Sequence, residues 1–442
     1  MRPVSNFGLV ACTLIGLLIT SPSADAAVQC TSQGTNVQGS VRTYQMFQSP
    51  AVPHSPVWGW NRLAAGNTEV CQANLFRNQT IFPSNPKVTI PIYESNDVDR
   101  SQVTRVVFGV QAKGADSWHY WTNLQNTRNK AWGNNAGFDK SKVSVVVPQF
   151  LREVDQQAGA ALPTDLYFNS SDWDYAYHYG YGGKALGPPG ATGISTFDVA
   201  DALINWIEAR YPNVQRIVMV GHSLGAQFFQ RYAITRHDGQ STKARLDYVV
   251  ANAGSFLYPL KYRPMNVPAS CPTFDTWPYG LSATASPSKV PSYVMGDWAK
   301  LGRKGLMTRV ASRNVHIMLG SEDYASGTEK CEPLVQGSYH LSRGRFYAEA
   351  VINATGTTAA YLAAGGNNRF KSSVPRGQAG LPSRWSYDIV PGCAHVQECM
   401  YQSDLGVRRI MLDGFSGSSA RRRMSAGHSK RAPTFVPEFD EE

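Results

Sequence analysis

Val-Gly-His-Ser-Leu-Gly-Ala at positions 220–226 follows an apolar run and precedes a stretch rich in helix formers. This order predicts a strand that ends in a sharp turn and leads into a helix, with a serine exposed at the turn. Gly221 and Gly225 lack side chains and therefore relieve clashes around a strained central residue. Ser223 is the candidate nucleophile.

The N-terminal segment, residues 1–26, predicts a secretory signal peptide. It contains Arg2, an apolar stretch from Phe7 to Ile19, and the small-residue cleavage site Ala24-Asp25-Ala26. No later run is long and apolar enough to cross a bilayer. We expect a secreted protein without stable membrane insertion, and an uncleaved anchor is the alternative.

The remaining chain divides by its pattern of residues. Residues 27–87 are irregular and predict an extension packed on the core, whereas residues 88–415 alternate regularly and predict the catalytic domain. Within that domain, about 254–313 is rich in Pro, Tyr and Trp and predicts an insertion, either a cap over the site or a surface excursion. Residues 416–442 lack apolar periodicity and predict a disordered tail.

Six cysteines follow the signal peptide, an even number that favours disulfides in an exported protein. Order along the chain favours the pairs Cys30–Cys71, Cys271–Cys331 and Cys393–Cys399. The last pair would close a small loop around His395. Neither a CxxC nor an HExxH pattern is present, so no metal site and no cofactor is expected.

The formal net charge of +10 is spread along the chain, with one cluster at Arg421, Arg422 and Arg423. Nucleic-acid binding would need a basic face interleaved with aromatic residues in a recognisable module, and no such module is visible. We therefore expect no nucleic-acid partner, and only weak binding to anionic surfaces.

Apolar runs alternate with helical patterns along most of the chain. Strands are predicted at Val88–Tyr93, Val103–Val110, Val143–Val147, Arg216–Val220, Tyr248–Ala251, Val315–Leu319 and Trp385–Val390. Helices are predicted at Ser117–Lys130, from a capping box at Ser195 to Tyr211, and from Ala226 to about Ile234. Because parallel strands need helical crossovers, this pattern predicts an α/β fold with a mostly parallel sheet covered on both faces.

A serine nucleophile needs a base to accept its proton and a carboxylate to orient that base. A strand that ends at Leu319 leads into Gly-Ser-Glu-Asp, which places Asp323 at the strand's carboxyl end, with Glu322 as the alternative. A later strand leads into Pro-Gly-Cys-Ala-His, which presents His395. In parallel sheets ligands bind at this edge, so the three side chains are expected to converge.

The oxyanion that forms during acyl transfer needs hydrogen-bond donors. We expect the first to be the backbone N–H of Leu224 at the start of a helix. The second is expected from the glycine-bounded loop 109–114, at Val110 or Gln111.

Other histidines are interpreted as structural. His222 is expected to pack beside the nucleophile, and His316 to be a core residue of a strand. His119, His178 and His340 are placed in loops, where His178 could line a pocket. Two aromatic clusters, at 118–121 and 167–181, are expected in loops that border the site, and packing against the body of the protein is the alternative for most of these rings.

These motifs resemble those of secreted α/β-hydrolases and are similar to serine esterases and lipases of that superfamily. The motifs are Gly-His-Ser-Leu-Gly at 221–225, Leu-Gly-Ser-Glu-Asp at 319–323, and Pro-Gly-Cys-Ala-His at 391–395. The resemblance covers about Val88 to Leu412. One departure is that many members show His-Gly where this chain has Phe108-Gly109.

The resemblance implies an eight-stranded, mostly parallel sheet, with Ser223 as nucleophile, Asp323 as acid and His395 as base. It implies a secreted serine hydrolase that cleaves small-molecule or polymeric carboxylic esters through an acyl-enzyme. The alternatives are an amidase or acyltransferase that uses the same residues, and a non-catalytic binding protein on the same scaffold.

Overall fold

The computed structural model describes residues 72–76, 79–85, 87–157, 159–169, 178–282, 290–355 and 381–414, together with the backbone of 44–45 and 69–70. The predicted signal peptide, the predicted tail, and the Cys30–Cys71 pair lie outside these residues. No helix of the described part combines the length and the apolar character that a membrane span requires.

Twelve strands and nine helices are present in the described residues. The strands are β1 (Tyr44–Gln45), β2 (Glu69–Val70), β3 (Ala73–Phe76), β4 (Ile92–Ser95), β5 (Arg105–Gly109), β6 (Val143–Pro148), β7 (Leu151–Arg152), β8 (Tyr167–Phe168), β9 (Arg216–His222), β10 (Arg245–Ala251), β11 (Asn314–Gly320) and β12 (Ser386–Val390). The helices are α1 (Ser117–Asn134), α2 (Glu153–Gln157), α3 (Thr196–Arg210), α4 (Leu224–Thr235), α5 (Ser292–Ala311), α6 (Cys331–Leu334), α7 (His340–Ala354), α8 (Gln397–Gln402) and α9 (Asp404–Val407). Short 3-10 turns occupy Lys140–Lys142 and Tyr179–Tyr181, and a π-helical turn occupies Arg408–Leu412.

Eight of the strands form one sheet in the order β12-β11-β10-β9-β5-β6-β4-β3. β4 runs antiparallel to both of its neighbours, and the other pairs are parallel. Every residue of β5, β6, β9 and β11 is buried, as expected for strands covered by helices on both faces. This strand order, with the predicted nucleophile turn after the fifth strand of the sheet, is the α/β-hydrolase fold, and the fold prediction is confirmed.

Most predicted elements are present, and their local signals explain their ends. α3 begins with the predicted capping box, in which Ser195 and Asp198 exchange side-chain and backbone hydrogen bonds. His316 is a satisfied core residue, as expected, because its Nδ1 lies 2.7 Å from the Ser386 hydroxyl. The predicted strand Val88–Tyr93 is wrong in its bounds. Pro91 has no N–H to donate to a ladder, and the regular strand begins only after it.

The segment predicted as an insertion contains a helix that the sequence pattern does not reveal. α5 lies within it and provides the crossover from β10 to β11. Glycines interrupt the helical pattern, and Gly302 breaks the helix with φ 59° and ψ −172°. A kinked helix of this kind has a weak helical periodicity of apolar residues. Its composition alone therefore leads to its assignment as part of an irregular insertion.

Candidate active site

Ser223 occupies the turn between β9 and α4. Its backbone adopts φ 55° and ψ −119°, a sparsely populated conformation that costs on the order of 1–3 kcal/mol for a residue other than glycine. A β-carbon on Gly221 would overlap the backbone of Gly225, and one on Gly225 would lie 2.9 Å from the carbonyl oxygen of Gln111. Close approach of backbone segments therefore requires both glycines, and the turn lifts the hydroxyl above the sheet.

The structure brings together Ser223, His395 and Asp323, the three side chains predicted to converge, in a chain of hydrogen bonds that we call the relay. Nε2 of His395 lies 2.9 Å from Oγ of Ser223, and Nδ1 of His395 lies 2.8 Å from Oδ2 of Asp323. Asp323 is buried and faces the imidazole, whereas Glu322 is exposed. Of the two carboxylates that the sequence leaves open, the structure places Asp323 beside the histidine.

Backbone contacts pair the loop that carries the acid with the loop that carries the histidine. The N–H of Ser321 donates to the carbonyl oxygen of Val390, and that of Glu322 donates to the carbonyl oxygen of Cys393, both at 3.0 Å. A β-carbon on Gly320 would overlap the same Cys393 carbonyl. Glycine is therefore needed at the end of β11 for the two loops to meet.

Asn252, which the sequence analysis does not single out, binds both the loop that carries Asp323 and the loop that carries His395. It is fully buried directly after β10, with φ 49°. Its Oδ1 accepts the N–H of Gly320 at 2.7 Å, and its Nδ2 donates to the carbonyl oxygen of Ala394 at 3.0 Å. Asn252 therefore positions Asp323 and His395 relative to each other. The available sequence signal was an asparagine directly after a predicted strand, because asparagine tolerates left-handed backbone better than most residues.

Asp323 binds a second imidazole. The sequence analysis places His340 in a loop, and this is wrong, because His340 is the first residue of α7. Its Nδ1 lies 3.0 Å from Oδ1 of Asp323, and its ring centroid lies 4.2 Å from that of His395. The two residues are seventeen positions apart in sequence, so no local motif links them.

His222 packs against His395, in keeping with its expected structural role. Its ring is buried with the centroid 4.6 Å from that of His395, and neither ring nitrogen has a hydrogen-bond partner among the described residues. Desolvation lowers the pKa of His222 well below its usual value. A neutral ring therefore lies beside His395 and adds no competing charge.

Burial and hydrogen bonding oppose each other at the carboxylate. Burial alone would raise the pKa of Asp323, but hydrogen bonds from His340 and His395 outweigh it and lower the pKa to about 2. Burial lowers the pKa of His340, despite its bond to the aspartate. At neutral pH the site therefore holds a charged aspartate and a neutral His340.

Asp323, His340 and His395 also form a group with metal-ligand chemistry. One ligand atom from each lies within 4.8 Å of the others, and within the described ranges no second group of this kind occurs. The contacts of 2.8 and 3.0 Å between imidazole and carboxylate are hydrogen-bond distances. A bound zinc ion would need ligand distances of about 2.0–2.2 Å and would compete with these bonds.

The candidate oxyanion donors lie where the turn between β9 and α4 meets the loop after β5. Leu224 is the first residue of α4, so its N–H has no acceptor one turn back in the helix. The N–H of Val110 donates to the carbonyl oxygen of Val220 at 3.3 Å, which removes it as a candidate and favours Gln111. The Gln111 side chain anchors the loop, because it exchanges two hydrogen bonds with the backbone of Phe150, at 2.7 and 2.9 Å.

A cavity of about 300 Å³ opens beside Ser223. Its lining includes Ser223, His395 and His340, together with Tyr181 from the second predicted aromatic cluster. The first cluster does not border it as expected: residues 118–121 lie in α1, where their apolar rings are buried in the core. The placement in a loop is wrong there, and the predicted helix Ser117–Lys130 is present: α1 packs against both β6 and α8, so rings on more than one of its faces are buried.

Two of the predicted disulfides are present, Cys271–Cys331 and Cys393–Cys399. The first joins the segment after β10 to the start of α6. The second closes a six-residue span that contains His395. Because so short a loop removes little entropy from the unfolded chain, its main effect is expected on the conformation of the histidine loop.

Removing the second disulfide should therefore affect turnover more than stability. For Cys393→Ser with Cys399→Ser, we expect kcat to fall several-fold, while the melting temperature falls by only a few degrees. Ester turnover and thermal unfolding of the same samples measure the two effects. The pair Cys271→Ser with Cys331→Ser is the matched control and should show the reverse balance, because its longer loop constrains the unfolded chain more. Equal proportional losses in both pairs would contradict a local role.

No protein-family model matches the sequence, and no curated protein matches it. Among solved structures, the chain is similar to poly(aspartic acid) hydrolase-1 from Sphingomonas sp. KT-1, with 18% identity and a TM-score of 0.44 over 76% of this chain and 97% of that one. A poly(3-hydroxybutyrate) depolymerase from Bordetella parapertussis has 17% identity and a TM-score of 0.46 over 80% and 94%. Carboxyl esterase 2 from Tuber melanosporum has 9% identity and a TM-score of 0.37 over 78% and 86%. What the chain does has to be inferred from its own side chains.

Proposed function

We propose that this chain is a serine hydrolase that cleaves carboxylic esters through an acyl-enzyme on Ser223. The observation that carries the proposal is the relay from the serine hydroxyl through His395 to the buried Asp323, with contacts of 2.9 and 2.8 Å. A serine on a strained turn, open to a cavity and in contact with an oriented imidazole, is the arrangement that nucleophilic acyl transfer requires.

In the proposed reaction, Nε2 of His395 accepts the hydroxyl proton as Oγ of Ser223 attacks the ester carbonyl carbon. The backbone N–H groups of Leu224 and Gln111 donate to the oxyanion of the tetrahedral intermediate. The intermediate collapses as His395 returns the proton to the departing alcohol, which leaves the acyl group on Ser223. Water then attacks this acyl-enzyme with the same histidine as base, and the acid is released.

Asp323 holds His395 in the tautomer that keeps Nε2 free to accept a proton. Its charge also stabilises the imidazolium that forms in each half of the reaction. The second bond, to His340, anchors the other carboxylate oxygen and so restricts rotation of the carboxyl group. Asn252 supports this arrangement through both loops.

We also propose that the chain is secreted. The two disulfides are compatible with an oxidising, extracellular compartment and support this proposal. Mass spectrometry of the protein recovered from the culture medium of its native host would test this proposal. We expect a mature N-terminus at Ala27.

A fluorophosphonate probe tests the proposed nucleophile. The folded wild-type protein should be labelled at Ser223, located by mass spectrometry of the modified peptide, because the relay raises the nucleophilicity of that one hydroxyl. Ser223→Ala should not be labelled. Ser101→Ala changes an exposed serine that lies before β5, at the amino-terminal ends of the parallel strands and away from Ser223. This variant should be labelled like wild type. A folded wild-type protein that resists the probe would instead favour a binding protein on a hydrolase scaffold.

A further inference from the structure

Gln227 lines the cavity one helical turn after Ser223. Its backbone N–H donates to the carbonyl oxygen of Ser223 at 3.0 Å, in the first turn of α4. Residues four apart lie on the same face of a helix, and their side chains lean toward its N-terminus. Gln227 is only 8% exposed. It therefore places a nearly buried amide in the same cavity as the hydroxyl that we propose as the nucleophile.

The amide of Gln227 is held in one orientation. The guanidinium of Arg231, which can only donate, donates to Oγ of Ser255 at 3.0 Å. The Ser255 hydroxyl directs its own proton to Oε1 of Gln227, at 2.6 Å. Because Oε1 is engaged in this way, Nε2 is the end of the amide that can donate to a bound ligand. Among the described residues, Nε2 has no hydrogen-bond partner.

His340 presents an acceptor beside this donor. Its Nδ1 lies 3.0 Å from Oδ1 of Asp323, and because a carboxylate can only accept, the ring proton lies on Nδ1. Burial lowers the pKa of His340, so the ring is neutral and its Nε2 is an acceptor. A β-carbon on Gly254, another lining residue, would lie 2.9 Å from Nε2 of Gln227 and 3.6 Å from Nε2 of His340. The donor and the acceptor therefore border one small space, which is open because residue 254 is a glycine.

A hydroxyl is the smallest group that complements both nitrogens. Its oxygen accepts a hydrogen bond from the Gln227 amide, and its proton is donated to Nε2 of His340. A carboxylate could only accept and an ammonium group could only donate, so each would leave one of the two nitrogens unmatched. A methyl group would leave both without that partner.

The space lies close to the relay. The ring centroid of His340 is 4.2 Å from that of His395, and Nε2 of His395 contacts Oγ of Ser223 at 2.9 Å. We infer that this part of the cavity is a subsite for a neutral hydroxyl group, and that the preferred substrates are esters with a hydroxyl a few bonds from the scissile carbonyl. This inference rests on the proposed hydrolase and names its substrate class.

Matched substrates test the preference, because a methyl group replaces a hydroxyl with little change of shape. The first pair is ethyl 3-hydroxypropanoate and ethyl butanoate, which place the hydroxyl on the acyl side. The second pair is 2-hydroxyethyl butanoate and propyl butanoate, which place it on the alcohol side. Each ratio of kcat/KM is divided by the ratio of the alkaline hydrolysis rates of the same two esters, which corrects for intrinsic reactivity. In at least one pair the corrected ratio should be about tenfold or more.

Methyl ethers test the acceptor half of the subsite. An ether oxygen accepts a hydrogen bond but has no proton to donate to Nε2 of His340. The pairs are ethyl 3-methoxypropanoate with ethyl pentanoate, and 2-methoxyethyl butanoate with butyl butanoate. On the side that shows the hydroxyl preference, the corrected ether ratio should be smaller than the hydroxyl ratio by about threefold or more. Equal ratios for ether and hydroxyl would contradict the inference.

Two variants disrupt the subsite in different ways. Gln227→Met keeps the length of the side chain but removes the donor, and Gly254→Ala fills the space between the two nitrogens. Gly254 has no positive φ, so its backbone accepts alanine. In each variant the corrected hydroxyl ratio should fall by about fivefold or more. Gln215→Met and Gly239→Ala make the same changes at exposed positions before β9 and β10, and should keep the wild-type ratio.

Corrected ratios near one in both wild-type pairs, or a wild-type ratio retained by either folded subsite variant, would overturn the inference. If the butanoate esters are cleaved and Ser223 reacts with fluorophosphonate in that case, the proposed hydrolase stands without the hydroxyl subsite. If Ser223 does not react and no ester is cleaved, the proposed function and the inference both fail.

Discussion

Ser223→Ala should lower kcat for ester hydrolysis on the order of 10⁵-fold or more, the size of loss seen when a nucleophile of this kind is removed. The reason is geometric: without Oγ, no atom lies in the position 2.9 Å from Nε2 of His395 from which the carbonyl is attacked. Initial rates of ester cleavage, measured at saturating substrate, provide the test. Thermal unfolding should change by only a few degrees, because the variant keeps the backbone of the turn and loses one hydroxyl.

The control for this variant is the same serine-to-alanine change at Ser101, which should keep the wild-type rate. Residual activity above a tenth of wild type in Ser223→Ala would mean that another group attacks the substrate. In that case the relay would serve some purpose other than nucleophilic catalysis.

Asp323→Asn should lower kcat by about 10⁴-fold, while the fold is retained. The carboxylate accepts an imidazole N–H on each oxygen, at 2.8 Å from His395 and 3.0 Å from His340. An amide has one oxygen acceptor, so one of the two histidines must face an NH₂ group and adopt the other tautomer. If that histidine is His395, its Nε2 carries a proton and cannot accept the one from Ser223.

Glu322→Gln is the matched control, because it makes the same chemical change one residue earlier on the same loop, at an exposed position. Its kcat should stay within about twofold of wild type. The pair of variants also resolves the choice that the sequence leaves between the two carboxylates. A large loss in Glu322→Gln together with a small one in Asp323→Asn would reverse the assignment of the acid.

Local chemistry explains why much of this molecule can be predicted from its sequence. The glycines at 221 and 225 indicate the sharp turn, because only residues without a β-carbon fit the close backbone contacts there. The capping box at Ser195 marks a helix start for a similarly local reason. Two disulfides also follow the order of cysteines along the chain. The turn and the capping box depend on residues that are close in sequence. The disulfides are predictable because only a few cysteines are available to pair.

The sequence-based predictions are wrong mainly where segments that are distant in sequence determine the contacts of a residue. His340 begins a helix that packs beside the acid loop, and no pattern near it indicates this contact. The N–H of Val110 is engaged by Val220, a partner that depends on the pairing of β5 with β9. The kinked helix α5 has too weak a periodicity to separate it from the irregular segment that precedes it.

The sequence by itself determined the class of fold, the serine at the strained turn, and the order in which acid and histidine follow it. These features depend on backbone conformations that a few neighbouring residues dictate. Only the tertiary structure decided which carboxylate meets His395, that the same carboxylate binds His340, and that Asn252 joins the two loops. Each of these contacts joins segments that follow different strands or begin a helix, so they depend on the register of the sheet and the packing of helices against it.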